Sequence, residues 1–504
     1  MSLNAETLQQ MQDALSKSFS APIADPRMPE GLQKSTFSQS GSATSGLTFY
    51  DLELGAKFLY PVLTPLRNEI PRVSGKGGIQ ANWRAVTAIN STGIRIGVSG
   101  GNRGAVMAVT TADYNAAYRG IGIESNVDFE AQYAGQGFDD IRAIAARSGL
   151  EALMLGEEIL LLGGNGTMAL GTTPTPALAA LTSGGAATDG TFRVAVVALT
   201  LEGYINASVA GGIDGEIVRT NADGSSDTFG GGAAQKSAEA TVVLGATTSV
   251  QAVGVSVAAV DGAVAYAWYW SKAGAGTSVL GAITTTNVYT ITTDAATGTQ
   301  LYSDLGVADY STNNLVFDGL ITQAFKAGSN SYQSSLDGAN MTSDGAGGIV
   351  EVDLALKSFW DNYRLSPDTI WVNSQEALAI STLLGAGGGS SSNFRINVDV
   401  RDGMIAGGIM VKEYLNRFSM AGGQVIPIRI HPNMPAGMIL FTTKTLPYPL
   451  ANVTNVMQVR TRQDYYQIEW PLRTRKYEYG VYADEVLQHY FPPSMGVIYN
   501  IGAP

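Results

Sequence analysis

The residues able to do chemistry are few, and their types exclude more than they permit. The 504 residues contain no cysteine, so disulfides, thiolate nucleophiles and cysteine-ligated metals are ruled out. The two histidines, His431 and His489, stand far apart in sequence. His489 follows Asp484 and Glu485, which could orient an imidazole, but nothing spaces a serine to serve it as nucleophile, and His431 simply precedes Pro432. Both are expected to be structural. Gly75-Lys76-Gly77-Gly78 and the run Gly385–Ser392 are glycine-rich, yet neither has the Gly-x-x-x-x-Gly-Lys-Ser/Thr spacing that brings a lysine and a metal-binding hydroxyl to phosphates. They read as a turn and a loop. Asn221, Asp223, Ser225 and Asp227 alternate as calcium ligands do, but the closing glutamate is absent and an acidic turn is the better reading. The expectation is a chain without catalytic, cofactor or metal residues: not an enzyme, and holding no cofactor.

What remains are charges suited to contacts between surfaces. Residues 61–125 carry seven basic residues (Arg67, Arg72, Lys76, Arg84, Arg95, Arg103 and Arg119) against three acidic ones. Arg460, Arg462, Arg473, Arg475 and Lys476 cluster near the end, interleaved with Asp464, Glu469 and Glu478, and suit nucleic-acid contact or inter-subunit pairing equally. Residues 170–310 reverse the balance, with four basic against eleven acidic, and the whole chain carries a net charge of −12. This is not the pattern of a general nucleic-acid binder. It suits a chain in which a basic arm docks on another subunit while an acidic module confers solubility. Glu157 and Glu158 fall near the C-terminal end of a predicted helix, where the dipole disfavours negative charge. They either meet cations on a neighbour or are solvated, and solvation is the favoured reading.

The elements that must position these charges follow from periodicity. Phe138–Gly166 predicts a long helix, with Ile141, Ala145, Ser148, Ala152, Leu155, Ile159 and Leu162 as its apolar stripe. Asp139 and Asp140 fall in its first turn, Arg147 and Glu151 pair four apart, and Gly163-Gly164-Asn165-Gly166 ends it through a left-handed cap. Before it, 48–71 reads as an apolar helix ended by Pro61 and Pro65. Ile79–Ile89, Ile94–Val98 and Ala112–Ile123 read as strands of a long hairpin with a glycine-rich tip. Such a hairpin has no core of its own and invites a partner surface. After Thr172–Pro176, read as a linker, 188–293 is β-rich. Large side chains at Val264, Tyr266, Trp268 and Trp270 alternate with Ala265 and Ala267, as in the central strand of an immunoglobulin-like sandwich. From Asn313 the pattern is mixed: helices at Leu315–Ala327, Ile349–Tyr363 and Ser374–Leu384, the last capped by Ser374, and strands at Thr369–Val372, Val425–Ile430 and Gly437–Thr442. Asn455–Val481 is strand-like, and Pro471 argues for an edge or bulge there. No signal peptide is visible at the start, and the uncharged run Thr241–Val260 alternates like a strand instead of spanning a membrane.

The order of these parts resembles the major capsid proteins of tailed bacteriophages with the Hong Kong 97-type (HK97-like) fold. The stretches that carry the resemblance are LYPVLTPLRNEIPRVSGKGG (Leu59–Gly78), ARSGLEALMLGEEILLLGGNG (Ala146–Gly166), IPIRIHPNMPAGMILFTT (Ile426–Thr443) and VRTRQDYYQIEWPLRTRKYEYGVYADEVLQHYFPP (Val459–Pro493). The resemblance implies an α+β chain. Residues 1–60 would be an N-terminal arm, 61–126 an extended loop with flanking strands, and 127–169 a peripheral domain with a spine helix. Residues 311–450 would be an axial domain, and 451–504 would return to the peripheral sheet. Residues 170–310 would be an inserted immunoglobulin-like domain on the outer surface. The implied function is self-assembly into the hexamers and pentamers of an icosahedral head enclosing double-stranded DNA, which is held without sequence specificity. The implied partners are further copies of the chain and scaffolding, portal and cement proteins, with no membrane. The implied location is the virion, assembled in the host cytoplasm. The contact candidates are then Arg67, Arg72, Lys76, Arg84, Arg95, Arg103, Glu157, Glu158, Arg460, Arg462, Arg473 and Arg475. Some members of this family crosslink a loop lysine to a neighbour's asparagine; Lys76 is the one lysine of that loop, but no motif marks a partner, and an uncrosslinked shell is expected. The alternatives are a secreted or surface β-rich adhesin and an encapsulin-like nanocompartment shell.

Overall fold

The computed structural model describes residues 60–89, 98–101, 106–135, 140–245, 250–386, 411–419, 423–449, 451–472 and 474–503. The first half of the expected helix over 48–71, the strand at Ile94–Val98, the loop tip, most of the Gly385–Ser392 run, and Arg95, Arg103 and Arg473 lie largely or wholly outside them. Two units are distinguished, and the elements below belong to the one comprising Tyr60–Gln132 and Ile141–Pro504, except that residues 133–135 of one helix fall in the other. The fold is α+β.

The chain opens with a short helix, α1 (Pro65–Glu69), and strand β1 (Arg72–Ser74). Pro65 begins α1 instead of ending a helix, because the first helical position needs no amide donor and proline's fixed φ suits it. Strands β2 (Gln80–Ile89) and β3 (Val109–Ala117) then pair antiparallel as a two-stranded ribbon. Gly77 and Gly78 turn the chain into it with φ of +85° and +97°. The expected strand Ala112–Ile123 is two strands. It breaks at Tyr118, which is buried, and β4 (Arg119–Asp128) leaves the ribbon to pair with a strand near the C-terminus. After a helix at Phe129–Gly135, labelled α2, comes the spine helix, α3 (Ile141–Gly163).

The spine is apolar on several faces, and packing selects a stripe next to the one the spacing suggests. Leu150, Leu153 and Leu160 pack on Ile121, Ile123, Val481 and Ala483, while Ser148 and Ala152 are exposed. Arg147 and Glu151 pair at 2.9 Å as expected. The helix starts after Asp140, and its end is not a left-handed cap. Gly163, Gly164 and Gly166 avoid positive φ, and what requires glycine is proximity. A Cβ on Gly163 would stand 2.6 Å from Leu201 and one on Gly164 2.5 Å from the Phe317 carbonyl oxygen.

Residues 177–291 build a sandwich. Strands β5 (Ala177–Leu181), β6 (Gly190–Leu199), a helical turn α4 (Leu201–Asn206), the hairpin β7 (Glu216–Thr220) and β8 (Ser226–Gly230), then β9 (Ala240–Leu244), β10 (Ala252–Ser256), β11 (Ala265–Ser271), β12 (Val279–Thr284) and β13 (Val288–Ile291) follow in order. One sheet runs β13-β10-β5 and the other β12-β11-β6-β9. Tyr266, Trp268 and Trp270 point into the inter-sheet core with Phe192, Val194, Val253 and Ile291. Ala265, Ala267 and Tyr269 face a second core with Ile213 and Leu280. The seven sandwich strands do not have the immunoglobulin order. There the first two strands pair in one sheet; here β5 pairs with β10, while β6 pairs with β9 and β11. Alternation along one strand states which side chains go inward, not which strand lies alongside, so the pairing was not legible. Thr172–Pro176 is no free linker either: Thr173 is buried and its hydroxyl accepts the Ala198 amide at 3.0 Å.

The remaining chain forms α5 (Leu320–Phe325), β14 (Tyr332–Ser335), α6 (Val350–Tyr363), β15 (Thr369–Val372), α7 (Ser374–Ala386), β16 (Glu413–Asn416), β17 (Gln424–Ile430) and β18 (Ile439–Thr442). Asn373, not Ser374, caps α7, accepting the Gln375 amide at 2.9 Å. Strands β19 (Met457–Glu469), β20 (Lys476–His489) and β21 (Gly496–Tyr499) close the chain, and Pro471 lies in the connection between the first two. A six-stranded sheet runs β14-β21-β18-β15-β17-β16, and a four-stranded one β1-β19-β20-β4.

Candidate functional site

The charges singled out by sequence converge where α1 and β1 meet the spine helix and the returning strands. Glu157 and Glu158 are fully buried, so the solvated reading is corrected. Both point into the one place where the opening segment supplies cations and free amides. Glu158 accepts the Leu66 and Arg67 backbone amides, each at 2.8 Å. These are the unsatisfied first-turn donors of α1, so a carboxylate from a distant helix acts as its N-terminal cap. The same carboxylate meets His431 Nε2 at 2.6 Å. The Asn433 amide donates to Nδ1 at 3.1 Å, which leaves the ring proton on Nε2, where it is given to Glu158.

One helical position earlier, Glu157 accepts Arg67 Nε at 3.1 Å, a nitrogen of Arg72 and the Tyr465 hydroxyl. Arg72 also donates to Asp464 at 2.8 Å and to Glu485 at 2.7 Å. Its guanidinium lies 4.5 Å from the Tyr465 ring centroid. Burial, with the nearby Glu157 charge, pushes the Glu485 carboxyl up to about 8 against the opposing pull of Arg72. Burial and Glu157 also raise the Tyr465 hydroxyl.

Beyond this cluster the ribbon is anchored by aromatics. Trp83 stacks on Tyr114 with centroids 5.9 Å apart and meets Tyr490 edge-on at 5.8 Å. Ala81 and Tyr118 join the core that also holds Leu161, Val459 and Leu487. Outward from that anchor the ribbon exposes Val86 and Val109, with Val106 95% exposed beside it.

The other sequence candidates disperse. Arg84 pairs with Asp113 at 2.5 Å across the ribbon, both exposed. Arg462 pairs with Asp484 at 2.7 Å, and Arg475 stands 3.9 Å from Glu130. Lys76 and Arg460 make no ion pair among the described residues, and Arg460 Nε is buried without a hydrogen bond there. His489 is buried in the core, and neither ring nitrogen has a partner among the described residues. Burial holds its pKa down at about 3. Asp484 and Glu485 are taken by arginines, so the histidine–carboxylate geometry of a general base is absent there. Asp227 is held by Arg219 and Asn221 within the β7–β8 turn. Among the described residues no group of acidic or histidine side chains is placed to hold a metal, and no helix is long and apolar enough to cross a membrane.

No family model matches the chain, and no curated protein matches it. Among solved structures it is similar to the capsid of a native GTA particle, with a TM-score of 0.40 and 10% identity over 91% of this chain and 96% of that one. It is similar to Microbacterium phage Oxtober96 with a TM-score of 0.40 and 8% identity, covering 90% and 96%. It is also similar to the holo-SrpI encapsulin complex from Synechococcus elongatus PCC 7942, with a TM-score of 0.37 and 8% identity, covering 89% and 93%.

Sequence reading missed Glu485, Tyr465 and Trp83 as site residues. For Glu485 a signal existed. Val481, Ala483, Glu485, Leu487 and His489 alternate along β20 and all point inward, so one carboxylate stands in an apolar row. A buried carboxylate needs a cation, and Arg72 is the one it finds.

Proposed function

We propose that the chain is a major capsid protein that self-assembles into the hexamers and pentamers of an icosahedral head around double-stranded DNA. The observation that carries this reading is the β2–β3 ribbon. Two strands without a third, presenting Val86 and Val109 to solvent, do not form a stable unit by themselves. A large exposed apolar surface on a basic segment is what a neighbouring copy would cover. The sequence resemblance gives the same segment that role. On this reading residues 1–60 are the arm, 61–126 the extended loop, 127–169 and 451–504 the peripheral domain, and 311–450 the axial domain. The acidic 170–310 module lies on the outer surface, away from DNA that would repel it. On this reading Lys76, Arg84, Arg95, Arg103 and Arg460 would be among the residues that contact neighbours. Arg67, Arg72, Glu157 and Glu158 support contacts indirectly, by fixing where the ribbon starts. Scaffolding, portal and cement proteins would be the other partners, and the work of the chain is assembly, not turnover.

Electron microscopy of the purified chain, with sedimentation across protein and salt concentrations, tests this. Closed shells, or rings of five and six subunits, are expected. A monomer under every assembly condition would sink the proposal.

A further inference from the structure

Two buried carboxylates share one guanidinium in the cluster at β1. Arg72 reaches Glu157 through one terminal nitrogen and Glu485 through the other, and both carboxylates are wholly shielded from solvent. Charged and titratable groups from five other elements stand around Glu485 in the described residues. Arg67 comes from α1, Arg72 from β1, Glu157 from α3, Asp464 and Tyr465 from β19, and Arg119 lies opposite it on β4. Arg119 makes no ion pair among the described residues. With a proton on Glu485, the hydrogen-bonded set of Arg67, Arg72, Glu157 and Asp464 is electrically balanced, Arg119 making no hydrogen bond to it. Without it, an extra negative charge is buried beside Glu157, and Glu485 Oε1 has no hydrogen-bond partner in the described residues to stabilise it.

What the cluster holds is also clear. Strand β1 pairs with β19 over only three residues, flanked by two further bonds, the Val459 amide donating to the Pro71 carbonyl at 2.9 Å and the Gly75 amide to the Thr461 carbonyl at 2.6 Å. The chain then turns directly into the ribbon. We propose that Arg72, Glu157 and Glu485 form a proton-gated clasp: protonated Glu485 holds β1 closed against the spine helix and the returning strands, and ionisation of Glu485 favours release of β1 and the root of the ribbon.

The sign follows from linkage. Burial and the Glu157 charge raise the Glu485 carboxyl in the closed state, so it holds its proton there to a higher pH than in an opened, solvated state, where it ionises in the ordinary carboxylate range. Between those limits the closed state binds more protons, so raising the pH favours opening, by up to about ten-fold per unit. Above the raised closed-state value both states are ionised and the effect levels off.

Hydrogen exchange of the full-length chain reads this directly, at the amides of Arg72, Val73, Ser74 and Gly75, corrected for the intrinsic dependence of exchange on pH. Protection is expected to fall at least about ten-fold between pH 6 and pH 8, with the sandwich amides of β6 and β11 as the internal control. Glu485→Gln keeps an acceptor for Arg72 without a titrating proton and should abolish the pH dependence. Glu157→Gln removes the neighbouring charge and should move the levelling-off point down by about one pH unit or more. Constant protection at β1 in the wild type, or an unchanged pH dependence in Glu485→Gln, overturns the clasp. If Glu485→Gln does not fold, an unmoved levelling-off point in Glu157→Gln overturns it equally.

Discussion

The sandwich and the ribbon are both antiparallel β-structure, and they treat apolar side chains in opposite ways. In the sandwich, β11 is flanked by β6 and β12 and buried on both faces, with Trp268 and Tyr269 fully enclosed on opposite sides. In the ribbon, β2 and β3 have only each other, and Val86 is 60% exposed. A strand that has found its partners inside its own chain is a stability element. A strand that has not is either a liability or half of an interface. The difference separates folding from association within one polypeptide, and substitutions should divide along the same line.

The largest effect is expected in the sandwich. Trp268→Ala removes a side chain that packs between the sheets and donates its indole N–H to Thr284 at 2.8 Å. A loss of about 3–5 kcal/mol is expected, read as a lower denaturation midpoint of the full chain. A change below about 1 kcal/mol would mean the inter-sheet space re-forms easily, and the comparison would lose its firm side.

A smaller effect is expected at the junction between the spine and the chain that returns from the sandwich. Gly164→Ala brings a Cβ against the Phe317 and Leu160 carbonyl oxygens, and neither backbone can move without shifting α3 or the approach to α5. About 1–3 kcal/mol should be lost. Gly171→Ala is a control of a different kind, since its φ of +74° carries strain while no atom lies near the new Cβ. If the two substitutions cost the same, close approach is not what fixes glycine at the end of the spine.

Much of the fold was legible because periodicity reports burial. The spine, five of the seven sandwich strands and α6 follow from it, while β5 and β12 do not. What was not legible has a physical cause in each case. The face of α3 was ambiguous because Leu150, Leu153, Leu155, Leu160, Leu161 and Leu162 surround the helix, and only the positions of β4 and β20 select among them. The sandwich order was hidden because pairing is a property of two strands. The spine's closing glycines were read as turn formers when they are contact points, a difference that no local pattern encodes. The charged residues of the clasp were all visible as residues. Their convergence was not, because Arg72, Glu157 and Glu485 lie up to 413 positions apart in the chain.

The smallest effect on stability, and the sharpest test of the comparison, lies in the ribbon. Val86→Glu and Val109→Glu place charges where the single chain offers only water, so folding stability should change by no more than about 0.5 kcal/mol. Assembly should respond differently, because a charge left unpaired against an apolar partner surface is costly when that surface closes. The expected outcome is a folded chain with an unaltered denaturation midpoint that no longer forms shells or rings. Charge reversal at Arg84 separates this from a purely electrostatic role. Its pair with Asp113 is exposed and contributes little to folding, so Arg84→Glu should slow assembly and alter its salt dependence while leaving the end state intact. If the valine variants assemble normally, the exposed apolar face is not an interface, and the ribbon differs from the sandwich only in being unfinished.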